Sequence, residues 1–269
     1  MKRLILILLL LLFSRIFAAT PAVLQVQCGK LEIFLDSRFF WNLDGIKRSN
    51  VEIGRQGRGF YGSVIRYDIG WVGTGHLENK IGEKDVQVKF FCDDKEFTPG
   101  GEKITCRKFM MKKTSLLHHA KVAYTLVLED DLITETAAIR FLKDEKIQVA
   151  YNFMHPWHNS FEFYRTVSAS GKADSGAMPD KEDRKMYIFN EPSTASFYSG
   201  KFNTAIISKV TAYNSPAGSW LFWNRGQNDR KLYYRPLLRS KVKAGDSMRW
   251  TMTTAFRSIS FADWQKLEL

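Results

Sequence analysis

The stretch YNFMHPWHNSFEFYR, residues 151–165, holds two histidines, two asparagines, a tryptophan, two tyrosines, a glutamate and an arginine. Imidazole gives or takes a proton near neutral pH, which suits ring opening, epimerisation or β-elimination on a sugar. His155 and His158 are therefore candidate catalytic groups, with Asn152 and Trp157 as candidate substrate contacts. Pro156 cannot donate to a sheet ladder, so a strand should end or bulge there, and strand ends are where sites are often built. The competing reading makes both histidines structural, satisfied by backbone carbonyls beside a buried tryptophan.

Three more segments carry similar chemistry. GWVGTGHLENK, residues 70–80, sets Trp71, His76 and Glu78 among three glycines. Glycine permits tight turns and close approach of a ligand. His76 and Glu78, two apart on an extended segment, would share a face as a histidine–carboxylate pair or as two ligands for a cation, so His76 joins the catalytic candidates and Trp71 and Glu78 the binding ones. GRQGRGFYGSVIR, residues 54–66, offers Arg58 and Arg66, whose planar guanidinium groups grip carboxylates with two bonds. WNRGQNDRKLYYRPLLRSK, residues 223–241, mixes cations with aromatics, and Arg225 and Tyr233 are its binding candidates. Alternation turns Tyr233 and Tyr234 to opposite faces, and by the same rule only one of His118 and His119 should face any given pocket.

Other chemistries have less support. No acidic or cysteine cluster accompanies His155 and His158, so no metal site is expected. No Gly-x-Ser-x-Gly elbow is present. The glycines of residues 70–80 lack the Gly-Lys-Ser/Thr of a phosphate loop. No cofactor is expected.

Residues 1–20 read as a secretory leader: Lys2 and Arg3, an apolar run, then small residues at Ala18 and Ala19. The expected location is secreted or periplasmic, with no stable membrane span once the leader is cut. The formal net charge is +12, and only Lys2, Arg3 and Arg15 lie in the leader. Such an excess favours acidic partners. Without a basic run of five, a nucleic-acid tract is not expected, which leaves anionic polysaccharide or the cell envelope, and anionic polysaccharide is the expected partner. Of three cysteines, Cys92 and Cys106 flank a Pro-Gly-Gly turn. A disulfide across that hairpin would fit an oxidising compartment, with Cys28 a buried small hydrophobe.

The elements that must position these groups are strands. Alternating or β-rich runs such as KLEIFL, DVQVKFF and SMRWTMTTAF are parted by turn clusters such as NEPS and KAGD. Runs 120–129, 132–142 and 146–154 have short joints and read as an antiparallel meander. In the third, Ile147, Val149, Tyr151 and Phe153 should share a face. Only FADWQKLEL reads as helix, capped by Ser260. Residues 21–269 read as one domain, an all-β fold built as a large antiparallel β-sandwich.

An arginine-rich Gly-Tyr-Gly segment, a Trp/Gly/His turn, a long meander, the strand end NFMHPWHNS and the closing KAGDSMRW follow one another in this order. The order resembles the galactose-mutarotase-like β-supersandwich, which also occurs in polysaccharide lyases. The resemblance implies that His155, and next His158, stands where an aldose epimerase histidine contacts sugar. It departs at LFWNRGQND, where aldose epimerases carry a glutamate base and this chain has none. Plain mutarotase activity is therefore not implied. Three readings follow: a carbohydrate-binding protein for an acidic glycan; an enzyme, either a polysaccharide lyase or epimerase-like; and a structural envelope sandwich. The first requires His155, Trp157, His76 and Arg225 to converge on one face.

Overall fold

The computed structural model describes residues 23–76, 81–101, 103–182 and 186–268; the expected leader and Glu78 lie outside them. Nearly all of the regular structure of the described chain lies in two sheets. The first has eleven strands: β1 (Val23–Cys28), β2 (Leu31–Asp36), β3 (Asn42–Arg48), β4 (Val51–Gly54), β5 (Tyr61–Tyr67), β6 (Gly70–Gly73), β9 (Ile104–Thr105), β13 (Glu145–His158), β16 (Met186–Asn190), β19 (Ser219–Asn224) and β20 (Asp229–Val242). The second has ten: β7 (Lys84–Cys92), β8 (Lys95–Phe97), β10 (Lys108–Leu117), β11 (Ala120–Glu129), β12 (Leu132–Phe141), β14 (Phe163–Ser168), β15 (Ala173–Ala177), β17 (Pro192–Ser199), β18 (Thr204–Tyr213) and β21 (Ser247–Ser258). The first sheet runs β16-β19-β20-β13-β4-β3-β2-β1-β9, with β5 on β13 and β6 on β5; the second runs β15-β14-β17-β18-β21-β12-β11-β10-β7-β8. Helix α1 (Phe261–Lys266) closes the chain, and Ser260 Oγ accepts from Asp263 N at 3.2 Å as its cap.

The core lies between the sheets. On β11 the buried positions are Ala120, Val122, Tyr124, Leu126 and Leu128; on β12 they are Ile133, Glu135, Ala137, Ile139 and Phe141. Alternation puts each set on one face of its strand. Trp157, Trp220 and Trp250 meet them from other strands and are fully buried. Among the described residues, no helix is long and apolar enough to cross a membrane.

Three expectations are corrected. The meander ends after β12, because β13 leaves for the other sheet and pairs with β20 and β5. Asp144 holds that corner, accepting from Ala244 N at 2.9 Å and from Lys243 Nζ at 2.8 Å. Pro156 does not end β13, which runs on through His158. Its carbonyl accepts from Arg55 N at 2.8 Å. The irregularity lies upstream, where the β20 register shifts on either side of Asn152 and Phe153 takes a left-handed φ of 54°. Consequently Tyr151 and Met154 face outward, while Phe153, His155 and Trp157 face the core. Finally, Cys92 and Cys106 are not opposite each other in a hairpin. Cys92 pairs with Lys95 across the β7–β8 turn, and the chain then crosses to lay β9 beside β1. All three cysteines are free thiols, and Cys106 lies beside both Cys28 and Cys92. Burial pushes the Cys28 thiol up to about 11.

His155 joins the two sheets. Its Nε2 lies 2.6 Å from Glu135 Oε2, without full hydrogen-bond alignment. Tyr124 Oη donates to Glu135 Oε1 at 2.5 Å. All three side chains are buried. Burial, and then the charge of Glu135, pushes the Tyr124 phenol well up. The Tyr124 ring passes so close to β5 that a Cβ on Gly62 would stand 2.8 Å from it. Removing one partner from such a cluster strands the others in a medium that solvates them poorly. Glu135→Ala should therefore cost about 3–5 kcal/mol of unfolding free energy in urea. A loss below about 1 kcal/mol would show that water reaches the network.

Candidate functional site

The outer face of the first sheet carries a second apolar cluster, separate from the core. Its floor is Val64 on β5, Met154 on β13, Leu221 on β19 and the Tyr233 ring on β20. Around it runs a circuit of rings. Trp71 stacks on Tyr151 with centroids 5.7 Å apart and planes 16° from parallel. Tyr151 meets Tyr233 at 5.2 Å. Lys231 Nζ stands 5.9 Å from the Tyr233 ring and 5.9 Å from the Tyr61 ring. Tyr61 meets His76 edge-on at 4.9 Å, and His76 returns to Trp71 at 6.2 Å. Beyond Lys231, the Arg225 guanidinium lies 5.1 Å over the Trp223 ring, and beyond Trp71, Arg66 lies 5.6 Å over that ring.

Local structure explains this placement. Asp229, Lys231 and Tyr233 alternate along β20, so they share the outer face, while Leu232 and Tyr234 enter the core. The turn carrying His76 is fastened at several points. Thr74 Oγ1 accepts from Gly62 N and Ser63 N, each at 3.0 Å. Gly75, at φ 68°, donates its N–H to Glu83 Oε1 at 2.9 Å, and a Cβ there would stand 2.9 Å from Phe39 O. Glu83 is in turn paired with Lys113 at 3.0 Å, with both side chains buried.

Burial sets the electrostatics. Lys231 is 8% exposed, and desolvation brings its amine down to about 8. Asp229 is fully buried and burial raises its carboxyl; the nearby cations, first Arg225 and including Arg58, oppose that rise. Arg225 Nη1 lies 3.2 Å from Asp229 Oδ2. Burial also raises the Tyr151 and Tyr233 phenols. From Tyr151 a groove of about 540 Å³ continues along the sheet, lined by Arg66, Lys146, Arg239 and Lys241 with Asp68 as an acid. The arrangement offers stacking faces, several cations, and one amine able to change protonation near neutral pH.

No protein-family model matches the chain, and no curated protein sequence matches it. Solved structures do match. A galactose mutarotase-like protein from Clostridium acetobutylicum is similar at TM-score 0.57 and 9% identity, covering 90% of this chain and 97% of that one. A galactose mutarotase related enzyme from Lactobacillus acidophilus has TM-score 0.52 at 8% identity, covering 89% and 98%. A galactose mutarotase-like protein from Lactobacillus casei has TM-score 0.51 at 10% identity, covering 87% and 100%. The fold is galactose-mutarotase-like.

This galactose-mutarotase-like sandwich divides the sequence-derived site residues. Arg66, Trp71, His76, Arg225 and Tyr233 gather on the outer face. Arg58 is exposed and acts on Asp229 through its charge. His155, Trp157 and Asn152 do not join them: they are buried, and Asn152 Oδ1 accepts from Ser63 Oγ at 2.9 Å. The expected convergence of His155 and Trp157 with His76 and Arg225 is therefore not found, because the shift in β13 turns the first two inward. His158 sits at the end of β13, with its ring 5.1 Å from Phe202 and its Nδ1 accepting from Ser160 N at 3.0 Å. Lys231 was not assigned from sequence. Its signal was available, since it is two residues before Tyr233 on one strand.

Two pH dependences follow. The Lys231 amine, ordinarily at 10.5, should acylate with a midpoint near pH 8 in site-resolved mass spectrometry; a midpoint above about 10 would mean that it is solvated. Burial, and then Arg55, holds the His158 imidazole down to about 4 from 6.5. The unfolded chain therefore binds that proton first. Stability from His158 is complete above pH 6.5 and declines as pH falls toward 4. His158→Gln should flatten that part of the melting profile, and an unchanged slope would assign it elsewhere.

Proposed function

We propose that this protein binds carbohydrate on the outer face of the first sheet, and that its preferred ligand is an anionic glycan met after export. The observation that carries the reading is the Trp71–Tyr151 stack with cations on both sides of it. Half-buried rings present a flat apolar surface to the C–H face of a pyranose. Arg66, Lys146, Arg239 and Lys241 along the adjoining groove supply charge for uronate or sulfate groups. The fold of the solved relatives named above supports a sugar ligand. The leader-like N-terminus supports export.

One observation favours a second reading, an enzyme. Lys231 combines a lowered amine pKa with a place beside Tyr61 and Tyr233, close to the Arg225–Asp229 pair. An amine of this kind is suited to take the C5 proton of a uronate while a guanidinium neutralises its carboxylate. In that reading Lys231, rather than His155, is the base.

The test is a screen of the mature chain against neutral and uronic-acid polysaccharides, with unsaturated-product absorbance read alongside binding. Trp71→Ala should weaken binding of any ligand by roughly tenfold or more, in line with the cost of losing one ring contact. Arg66→Gln should weaken uronate binding and spare neutral sugars. Product formation lost in Lys231→Met would establish the enzyme. No binding to any glycan by the wild-type chain would defeat both readings.

A further inference from the structure

We propose that His118, His119 and Glu145 form a binding site for one divalent transition-metal ion of the zinc type. The site does not depend on the carbohydrate reading. His119 Nδ1 lies 2.5 Å from Glu145 Oε1, and His118 Nε2 lies 3.8 Å from the same oxygen. One ligand atom from each of the three residues lies within 4.8 Å of the other two. Metal–ligand distances near 2.0–2.2 Å in a tetrahedral site put ligand atoms roughly 3.3 Å apart. The His119–Glu145 contact would open, and the His118–Glu145 contact close, by under about 1 Å.

Adjacent residues of a strand point to opposite faces, which is why only one of the two histidines was expected to reach any pocket. They escape that rule because they are the turn between β10 and β11, with His118 at a left-handed φ of 55°. Histidine tolerates this conformation better than most residues but is not its usual occupant. The two rings end 3.7 Å apart, centroid to centroid. The turn is held from both sides: Leu142 N donates to His119 O at 2.8 Å, and the Tyr67 ring packs 5.0 Å from His118 while its hydroxyl donates to Leu117 O at 3.1 Å. Glu145 is fixed by its pairing with Val242 as the first residue of β13.

The ligand set selects the metal. Two imidazoles and one carboxylate suit zinc, cobalt or nickel, whereas calcium and magnesium prefer oxygen alone. All three side chains are partly exposed, at 20–30%, so a fourth position is open to water or a ligand. Lys84 and Lys143 are within electrostatic reach and reduce the attraction for a dication. A bound ion would tie the β10–β11 turn of the second sheet to β13 of the first.

The experiment is a calorimetric titration of the full chain, free of any polyhistidine tag, with Zn²⁺, together with thermal melting and Co²⁺ absorption. The expected result is one ion per chain, a higher melting temperature with zinc, and cobalt spectra of nitrogen and oxygen ligands. Glu145→Gln and His119→Asn should each weaken binding tenfold or more while melting normally without metal. If either melts early, His118→Gln serves in its place. No binding by the wild-type chain, or equal binding by the variants, would overturn the proposal. A thiolate charge-transfer band with Co²⁺ would overturn it as well, by assigning the ion to Cys28, Cys92 and Cys106.

Discussion

Which side chains of β13 reach the core depends on a departure from regular pairing around Asn152 and Phe153. β13 is the strand on which β20, β5 and β4 all converge. Side chains on a strand repeat every two residues, so a one-residue slip exchanges its two faces. The left-handed backbone at Phe153 makes that exchange locally. It leaves Tyr151 and Met154 to build the outer cluster, and sends Phe153, His155 and Trp157 into the sandwich. One strand thereby serves both the core and the candidate site.

The buried polar groups work at the same level. An unpaired charge between the sheets would be costly, and two buried acids find their partners on other strands. Glu135 of the second sheet meets His155 of the first. Glu83 meets Lys113 on β10 and also holds Gly75. The first contact fixes one sheet against the other. The second fixes the turn that carries His76 to the ring circuit. The aromatic platform thus rests on charged groups that never reach solvent.

Strands were legible because alternation is a local signal, and so was the Ser260-capped helix. The division of Tyr233 from Tyr234 followed from the same rule. What was hidden depends on distant partners. Runs 120–129, 132–142 and 146–154 look like one meander, yet a corner held by Asp144 and residues 243–244 sends the last to the other sheet. HPWHN reads as a loop because of Pro156, but proline is tolerated here without loss of the strand. His155 has the composition of a catalytic residue and the environment of a core one, which only a contact with Glu135, 20 residues earlier and on the opposite sheet, can reveal. Lys231 was passed over because its burial, not its identity, makes it unusual.

The ends of the two sheets are unequal in a way that bears on self-association. An edge strand exposes unpaired backbone groups and can template another chain unless it is short or otherwise blunted. β9 has two residues and β8 three, and β15 is the polar ADSGA. β16 is different: its sequence is MYIFN, and Ile188 is half exposed. If two copies join strand to strand, this margin of the first sheet has the length and the apolar side chains for it, and a charge at position 188 would be the economical way to keep copies apart.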